Sequence, residues 1–284
     1  MPPWTYGFNT STIRPHIVPL PEIVRMVAAA GYGAFEPWMD ELDRFVAQGG
    51  SLHDLRSCIE DAGITAASAI GFFNWIVDDD AERRQGLEEA RRCMEVVAAI
   101  GGGMIAAPPM GATEQRDLDL RRAAERYAVL MELGAQFGVK PLLEVWGFST
   151  TLQRLGEAAC VALECGRADA GLLLDVYHLH KGGSGFTGLP YLQGGLVPLF
   201  HVNDYPASIQ PEALTDADRV YPGDGDAPFC DIVAALYSMN FSGTLSLELF
   251  NEAYYALPPE QVVREGLRKT QEIVAAATAR LQHR

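Results

Sequence analysis

The run Leu172-Leu173-Leu174-Asp175-Val176-Tyr177-His178, LLLDVYH, decides how this chain folds. An unbroken short apolar stretch fits a strand buried on both faces, the kind that a parallel sheet covered by helices requires. This one finishes on a carboxylate. Working outward, the same pattern recurs as PLLEVW at 141–146, PLFHVND at 198–204 and LSLELFN at 245–251. Glu144, Asp175, His201 and Glu248 therefore each stand at or near the end of an apolar run. An unpaired buried charge costs several kcal/mol or more, comparable with the whole stability of a domain, about 5–15 kcal/mol. Such endings, repeated through the second half of one chain, point to one shared site.

Strand-like runs are read at Thr5–Asn9, Ala34–Pro37, Ile64–Ile70, Met104–Ala107, Pro141–Val145, Ala170–Asp175, Leu199–Asn203 and Gly243–Leu249. Helix signals lie between them. Pro21-Glu22 opens a helix that Gly31 closes, and Ser51 with Asp54 gives a capping-box-like start. Further helices are predicted over Asp80–Ile100, Gln115–Phe137, from Thr150 or Thr151, from Pro228 and Asp231, and over Pro258–Gln282. The segment between the sixth and seventh strands, GLPYLQGGL, is too short for a full helix. No linker or low-complexity segment divides the chain. Strict alternation predicts an α/β protein: a single (β/α)8 TIM barrel spanning residues 1–284. The rival, an open doubly wound sheet, usually carries a glycine fingerprint after its first strand. Here that strand is followed by NTSTIRP. Gly101–Gly103 precede the fourth strand, at the rim away from chemistry, and GDGD at 223–226 reads as a turn rather than a calcium loop.

The composition narrows the function. With 284 residues, 48% hydrophobic and 21% charged, the chain is a folded globular protein of ordinary barrel length. It has no apolar run long enough to span a membrane. MPPWTYGFNT lacks the basic start and apolar stretch of a signal peptide, so the expected location is cytoplasmic. A net charge of −15 argues against a nucleic-acid partner, whose phosphates need a positive face. The cysteines have no CxxC spacing and read as free thiols.

In a barrel the C-terminal strand ends meet at one face, where active sites form. Glu144, Asp175, His201 and Glu248 then come from neighbouring strands and converge. Three carboxylates in one cleft repel one another unless a cation lies among them. Oxygen-rich ligands with one nitrogen favour Mn²⁺ or Mg²⁺ first, then Co²⁺ or Zn²⁺. His178, just past the sixth strand, can reach a substrate oxygen beside the ion. Arg219, the one cation in LTDADRVYPGDG, can hold a hydroxyl, carbonyl or phosphate, or pair with Asp216 or Asp218. Trp38 and Trp146, with Phe72, Phe73 and Trp75, can cover the C–H face of a sugar or pack loops over the mouth. Glu36, ending the second strand, can meet a substrate hydroxyl or a loop arginine.

In LLEVWGF, LLLDVYHLHKGG, FHVNDYP, RVYPGDGD and LSLELF the sequence resembles the xylose-isomerase-like barrel superfamily of sugar isomerases and epimerases, with the inosose isomerase branch nearest in its loop pattern. The resemblance covers nearly the whole chain in layout. It implies that Glu144, Asp175, His201 and Glu248 bind one divalent metal, often Mn²⁺, and that His178 and, more loosely, Arg219 contact substrate. The implied activity is isomerisation or epimerisation of a ketose or inosose, a small-molecule substrate, with Glu144 and Glu248 passing a proton to and from an enediolate that the metal stabilises. A dehydratase acting on an inosose or related keto-polyol uses the same first step, and a non-enzymatic metal-binding barrel is the remaining alternative. The related three-zinc DNA-repair endonucleases need histidines on earlier strands, whereas the six here are at 16, 53, 178, 180, 201 and 283. The substrate is not readable from the residues, and the oligomeric state stays open, with a homo-oligomer among the options.

Overall fold

Strands β1 (Thr5–Asn9), β2 (Ala34–Glu36), β3 (Thr65–Ala66), β4 (Met104–Ala107), β5 (Lys140–Glu144), β6 (Leu172–Asp175), β7 (Leu199–Val202) and β8 (Thr244–Leu247) form one parallel sheet in the order β3-β2-β1-β8-β7-β6-β5-β4. These come from a computed structural model that describes residues 4–282; the first three residues of the MPPWTYGFNT stretch and His283 lie outside that range. The sheet curls until its end strands meet, where the Ala106 N–H donates to the Ala69 carbonyl at 2.9 Å. The result is the expected TIM barrel.

The strand interiors follow a period of two. On β6, Leu172 and Leu174 point outward into the large core beneath the helices, while Leu173 points inward. Leu173 joins Ile70, Ala106, Leu142 and Leu199 in a separate small cluster inside the barrel. Two residues further along their strands, Leu142, Leu173 and Leu199 are followed by Glu144, Asp175 and His201. The apolar cluster is thus the floor beneath the polar groups. Register keeps them level: Asp175 pairs with His201, His201 with Ser246, and Asn9 with Glu36.

Several boundaries differ from the sequence reading, each for a local reason. β3 covers two residues rather than Ile64–Ile70, because Ala67, Ser68 and Ala69 offer little side-chain surface for cross-strand packing. Ile70 still pairs with Trp38 as an isolated bridge. The helix Leu120–Phe137 starts at its Asp119 cap rather than at Gln115. The next, Leu155–Glu164, starts after Arg154. Thr150 cannot cap it, because the Ser149 and Thr150 hydroxyls both donate to the Thr113 carbonyl and bind this segment to the preceding loop. The helix Leu20–Ala30 ends at Gly31 with φ 102°, as read. A helix over Met39–Ala47 had no counterpart in the reading: it is short and polar, burying only Met39, Glu41 and Leu42. Among the described residues, no helix is long and apolar enough to cross a membrane.

Candidate active site

Asp175, His201 and Glu248 bring one ligand atom each to within 4.8 Å of one another at the C-terminal face, and all three are buried. Asp175 accepts from the His178 amide (2.9 Å) through Oδ1 and from Asn203 Nδ2 (2.9 Å) through Oδ2. Glu248 Oε1 accepts from Asn9 Nδ2 at 3.1 Å. Arg219, only 1% exposed, places Nη1 2.8 Å from Glu248 Oε2 and 3.2 Å from Asp175 Oδ2, while its Nη2 donates to Asp216 at 2.6 Å. Its guanidinium lies 4.3 Å from the Tyr177 ring and 5.0 Å from that of Phe250.

Beneath this group lies Glu36, wholly buried. Its Oε2 accepts from Asn9 Nδ2 (2.9 Å) and the Ser246 hydroxyl (2.8 Å) and lies 2.9 Å from His201 Nε2. The contact fixes a proton on Nε2 and aims Nδ1 at the carboxylates, 3.2 Å from Glu248 Oε2 and 3.7 Å from Asp175 Oδ2. Nδ1 is buried yet makes no hydrogen bond. Expected to face a substrate hydroxyl or a loop arginine, Glu36 does not line the cavity and instead orients the imidazole from below.

Above the group is a cavity of about 190 Å³ lined by Trp38, Phe72, Glu144, Trp146, Phe148, His178, Asp216, Arg219, Glu248 and Phe250 among others. A row of aromatic side chains runs along its wall: Phe250 to Trp38 at 5.9 Å, Trp38 to Phe72 at 5.5 Å, Phe72 to Trp146 at 5.8 Å and Trp146 to Phe148 at 4.8 Å. Glu144 faces this cavity but is not one of the three residues whose ligand atoms converge.

The carboxylates are driven apart in protonation. Burial, followed by the Glu248 and Asp175 charges and opposed by His201, lifts Glu144 to about 8. Burial also acts on Glu248, but His201 and Arg219 outweigh it and hold that group at about 2. Burial disfavours charge on His201, yet Glu248 and Glu36 raise it well above the usual imidazole range. Burial and the Arg219 charge keep His178 neutral.

A divalent cation suits this donor set. Two carboxylates and an imidazole nitrogen with no hydrogen-bond partner converge in a buried place, with a further carboxylate across the cavity. His201 carries a proton held on it by Glu248 and Glu36, so an ion taking Nδ1 would displace about one proton. Affinity for Mn²⁺ or Zn²⁺ is expected to climb by up to about tenfold per pH unit between about pH 6 and 8, where His201 would otherwise keep its proton. Calorimetry in two buffers of different ionisation heat counts the protons released. An affinity flat between pH 6 and 8 would refute the exchange.

Of the residues singled out in the sequence, Trp38, Glu144, Trp146, His178, Arg219 and Glu248 line one cavity, and Asp175 and His201 lie directly under it. Asn9 and Ser246, which hold Glu36, were not singled out. Asn9 carries the same signal as the others, a polar residue ending an apolar strand. Asp204 was also not singled out, except within the FHVNDYP stretch. Its buried carboxylate accepts from the amides of Tyr205 (2.8 Å), Gly223 (2.9 Å), Gly225 (3.1 Å) and Ala227 (2.8 Å), winding the GDGD turn around itself. A side chain at Gly225 would come within 2.5 Å of it. Asp204 also pairs with Val220 through both backbone bonds at 2.9 Å, next to Arg219. The change Asp204→Asn turns part of this acceptor into a donor facing N–H groups. It should lower kcat/KM by about 10–100-fold, the usual cost of losing a supporting partner, with helix content unchanged by circular dichroism. Wild-type kinetics in that variant would remove Asp204 from the site's support.

Comparison with known proteins agrees with this architecture. Residues 24–273 match the family model described as xylose isomerase-like TIM barrel. The inosose isomerase of Bacillus licheniformis is 30% identical over 217 residues, 74% of this chain and 76% of that protein. The 3-dehydroshikimate dehydratase of Pseudomonas aeruginosa is 27% identical over 260 residues, 88% of this chain but 39% of that longer protein. A solved structure of an IOLI protein with a zinc atom superposes with a TM-score of 0.88 at 24% identity, over 96% of this chain and 99% of the other. The chain belongs to the xylose isomerase-like TIM barrel family.

Proposed function

We propose that this protein is a divalent-metal-dependent isomerase or epimerase of a ketose or inosose. The observation that carries the reading is geometric: Glu144 and Glu248 face one cavity beside the converging Asp175 and His201, in surroundings that push Glu144 up to about 8 and Glu248 down to about 2. Groups pushed apart in this way are suited to acid and base roles. A divalent ion, Mn²⁺ first, held by Asp175, His201 and Glu248 with Glu144 opposite, would supply the Lewis acidity that makes a C–H beside a carbonyl removable. Glu248, ionised, takes a proton from one face of the substrate. Glu144, protonated, returns one from the other side of the cavity. Delivery to the opposite face of the same carbon epimerises; delivery to the neighbouring carbon isomerises. His178 and Arg219 hold substrate oxygen, while Trp38 and Trp146 cover the C–H face and keep water out.

Among the described residues, Arg219 is the only fixed positive charge on the lining, and it is committed to Asp175, Glu248 and Asp216, which leaves little to bind a phosphate. A small, unphosphorylated polyol fits the cavity volume of about 190 Å³. The relation to inosose isomerases supports a cyclitol ketone. The test is turnover of a panel of ketoses and inososes with added Mn²⁺, read by product mass and NMR. A product of unchanged mass is expected. A second reading, dehydration of an inosose or similar keto-polyol, is favoured by the match to 3-dehydroshikimate dehydratase along 88% of this chain. There Glu144 would protonate a departing hydroxyl, and the product would be lighter by one water. Tight metal binding with no turnover on the whole panel would refute both enzymatic readings and leave a binding barrel.

A further inference from the structure

His178 has two polar neighbours that make incompatible demands on it. The Gly147 amide donates to Nδ1 at 3.2 Å, and Arg219 Nη2 lies 3.2 Å from Nε2. A guanidinium nitrogen can only donate, as can an amide N–H. A neutral imidazole has one nitrogen able to accept. One of the two contacts is therefore not a hydrogen bond.

The partners available to each donor decide which. Among the described residues, the buried Gly147 amide donates to His178 Nδ1 alone. Arg219 Nη2 keeps Asp216 at 2.6 Å whatever the ring does. A proton on Nδ1 would strand a buried backbone donor that has no other acceptor, while a proton on Nε2 faces the cavity, where a bound oxygen can accept it. Ring rotation offers no escape, because a flipped ring would put C–H against the amide. Phe148 and Tyr177 flank the ring at 5.8 and 5.2 Å. The amide itself is fixed: a Cβ at Gly147 would lie 2.5 Å from the His178 carbonyl and 2.8 Å from the Gly182 nitrogen, so the two loops meet backbone to backbone.

We propose that Gly147 is a positioning residue, whose main-chain N–H fixes His178 in the Nε2–H tautomer, so that His178 and Arg219 aim two converging N–H donors at one oxygen of the substrate. The role of that oxygen rests on the catalytic reading above. With Nε2 protonated, two donors face each other across 3.2 Å on the cavity wall with no acceptor between them. An oxygen seated in the notch accepts from both. The oxygen that suits it best gains negative charge during the reaction, as the carbonyl oxygen does when the neighbouring C–H is deprotonated.

The test uses the whole protein, labelled with ¹⁵N and loaded with Zn²⁺ or Mg²⁺, both diamagnetic. The ring signals of His178 are assigned by their loss in His178→Gln. The expected pattern is that of an Nε2–H tautomer, with a correlation through the hydrogen bond between the Gly147 amide nitrogen and His178 Nδ1. An Nδ1–H pattern overturns the proposal, and so does a missing correlation. Kinetics then test the donor. A glutamine amide nitrogen can reach the Nε2 position, whereas an asparagine one reaches only the Nδ1 position. His178→Asn should lose about 100-fold or more in kcat, the usual cost of one such donor, and His178→Gln at least about tenfold less. Equal losses overturn the donor role. The tautomer is read without substrate, so failure of every substrate on the panel would refute the catalytic reading and leave the tautomer assignment standing.

Discussion

Replacing Glu248 by Gln is expected to lower kcat by about 10³-fold or more, and Glu144→Gln to do the same, while both barrels stay folded. The two losses should differ in origin. Glu248 is held ionised at about 2 by His201 and Arg219, and its Oε2 faces both His201 Nδ1 and Arg219 Nη1. Its amide analogue cannot take up a proton and brings a neutral group to the place where an ion would bind. Metal affinity should fall along with turnover, by at least about tenfold. Glu144 lies outside the converging group, and its proton is retained up to about 8. Its amide keeps the volume but has no proton to give. Glu144→Gln should therefore bind Mn²⁺ more nearly as the wild type does and still fail to turn over. Parallel metal titrations and initial rates separate the cases. Retained activity in both variants would end the proton-transfer assignment.

The sequence carried the barrel and the site unequally. Runs such as LLLDVYH are legible because burial on both faces removes polar residues, so a terminal carboxylate stands out. β3 is shorter than its sequence suggests because ITAASAI has the apolarity of a strand without its side-chain volume, and composition cannot tell a ladder from an extended segment. AFE marks Glu36 as a strand ending but says nothing of its neighbours. Whether a carboxylate at the end of AFE faces ligand or floor depends on which groups it reaches, and only the folded contacts with Asn9, Ser246 and His201 supply that. The Asp204 turn was hidden for another reason. A carboxylate bonded to backbone amides leaves no trace in its partners' side chains, and the glycines that make room for it read simply as a turn. Arg219 was legible as an isolated cation in an acidic loop, but not as a buried one.

Glu36→Ala should be the most damaging change outside the cavity, lowering both stability and metal affinity. The carboxylate is wholly buried and joins three donors, Asn9 Nδ2, the Ser246 hydroxyl and His201 Nε2, through a single oxygen. Truncation leaves all three without that acceptor, at about 1–3 kcal/mol for each buried donor that cannot be rehydrated. Asn9 keeps a second bond, to Glu248, and water can enter the space left, so a net loss of about 3 kcal/mol is expected, a fall of roughly 6 °C or more in Tm. Metal binding suffers separately, because the proton on His201 Nε2 is what leaves Nδ1 free to ligate. Losing the acceptor that orients an imidazole ligand typically costs about 10–100-fold in affinity. Glu36→Gln divides the two effects. Its carbonyl can still accept from His201, so much of the stability should return, but the charge that raises the basicity of His201 is gone and affinity should recover only in part. Thermal melts and metal titrations on the two variants measure each effect. If Glu36→Ala melts with the wild type and binds Mn²⁺ as tightly, then His201 is oriented by something other than the carboxylate beneath it.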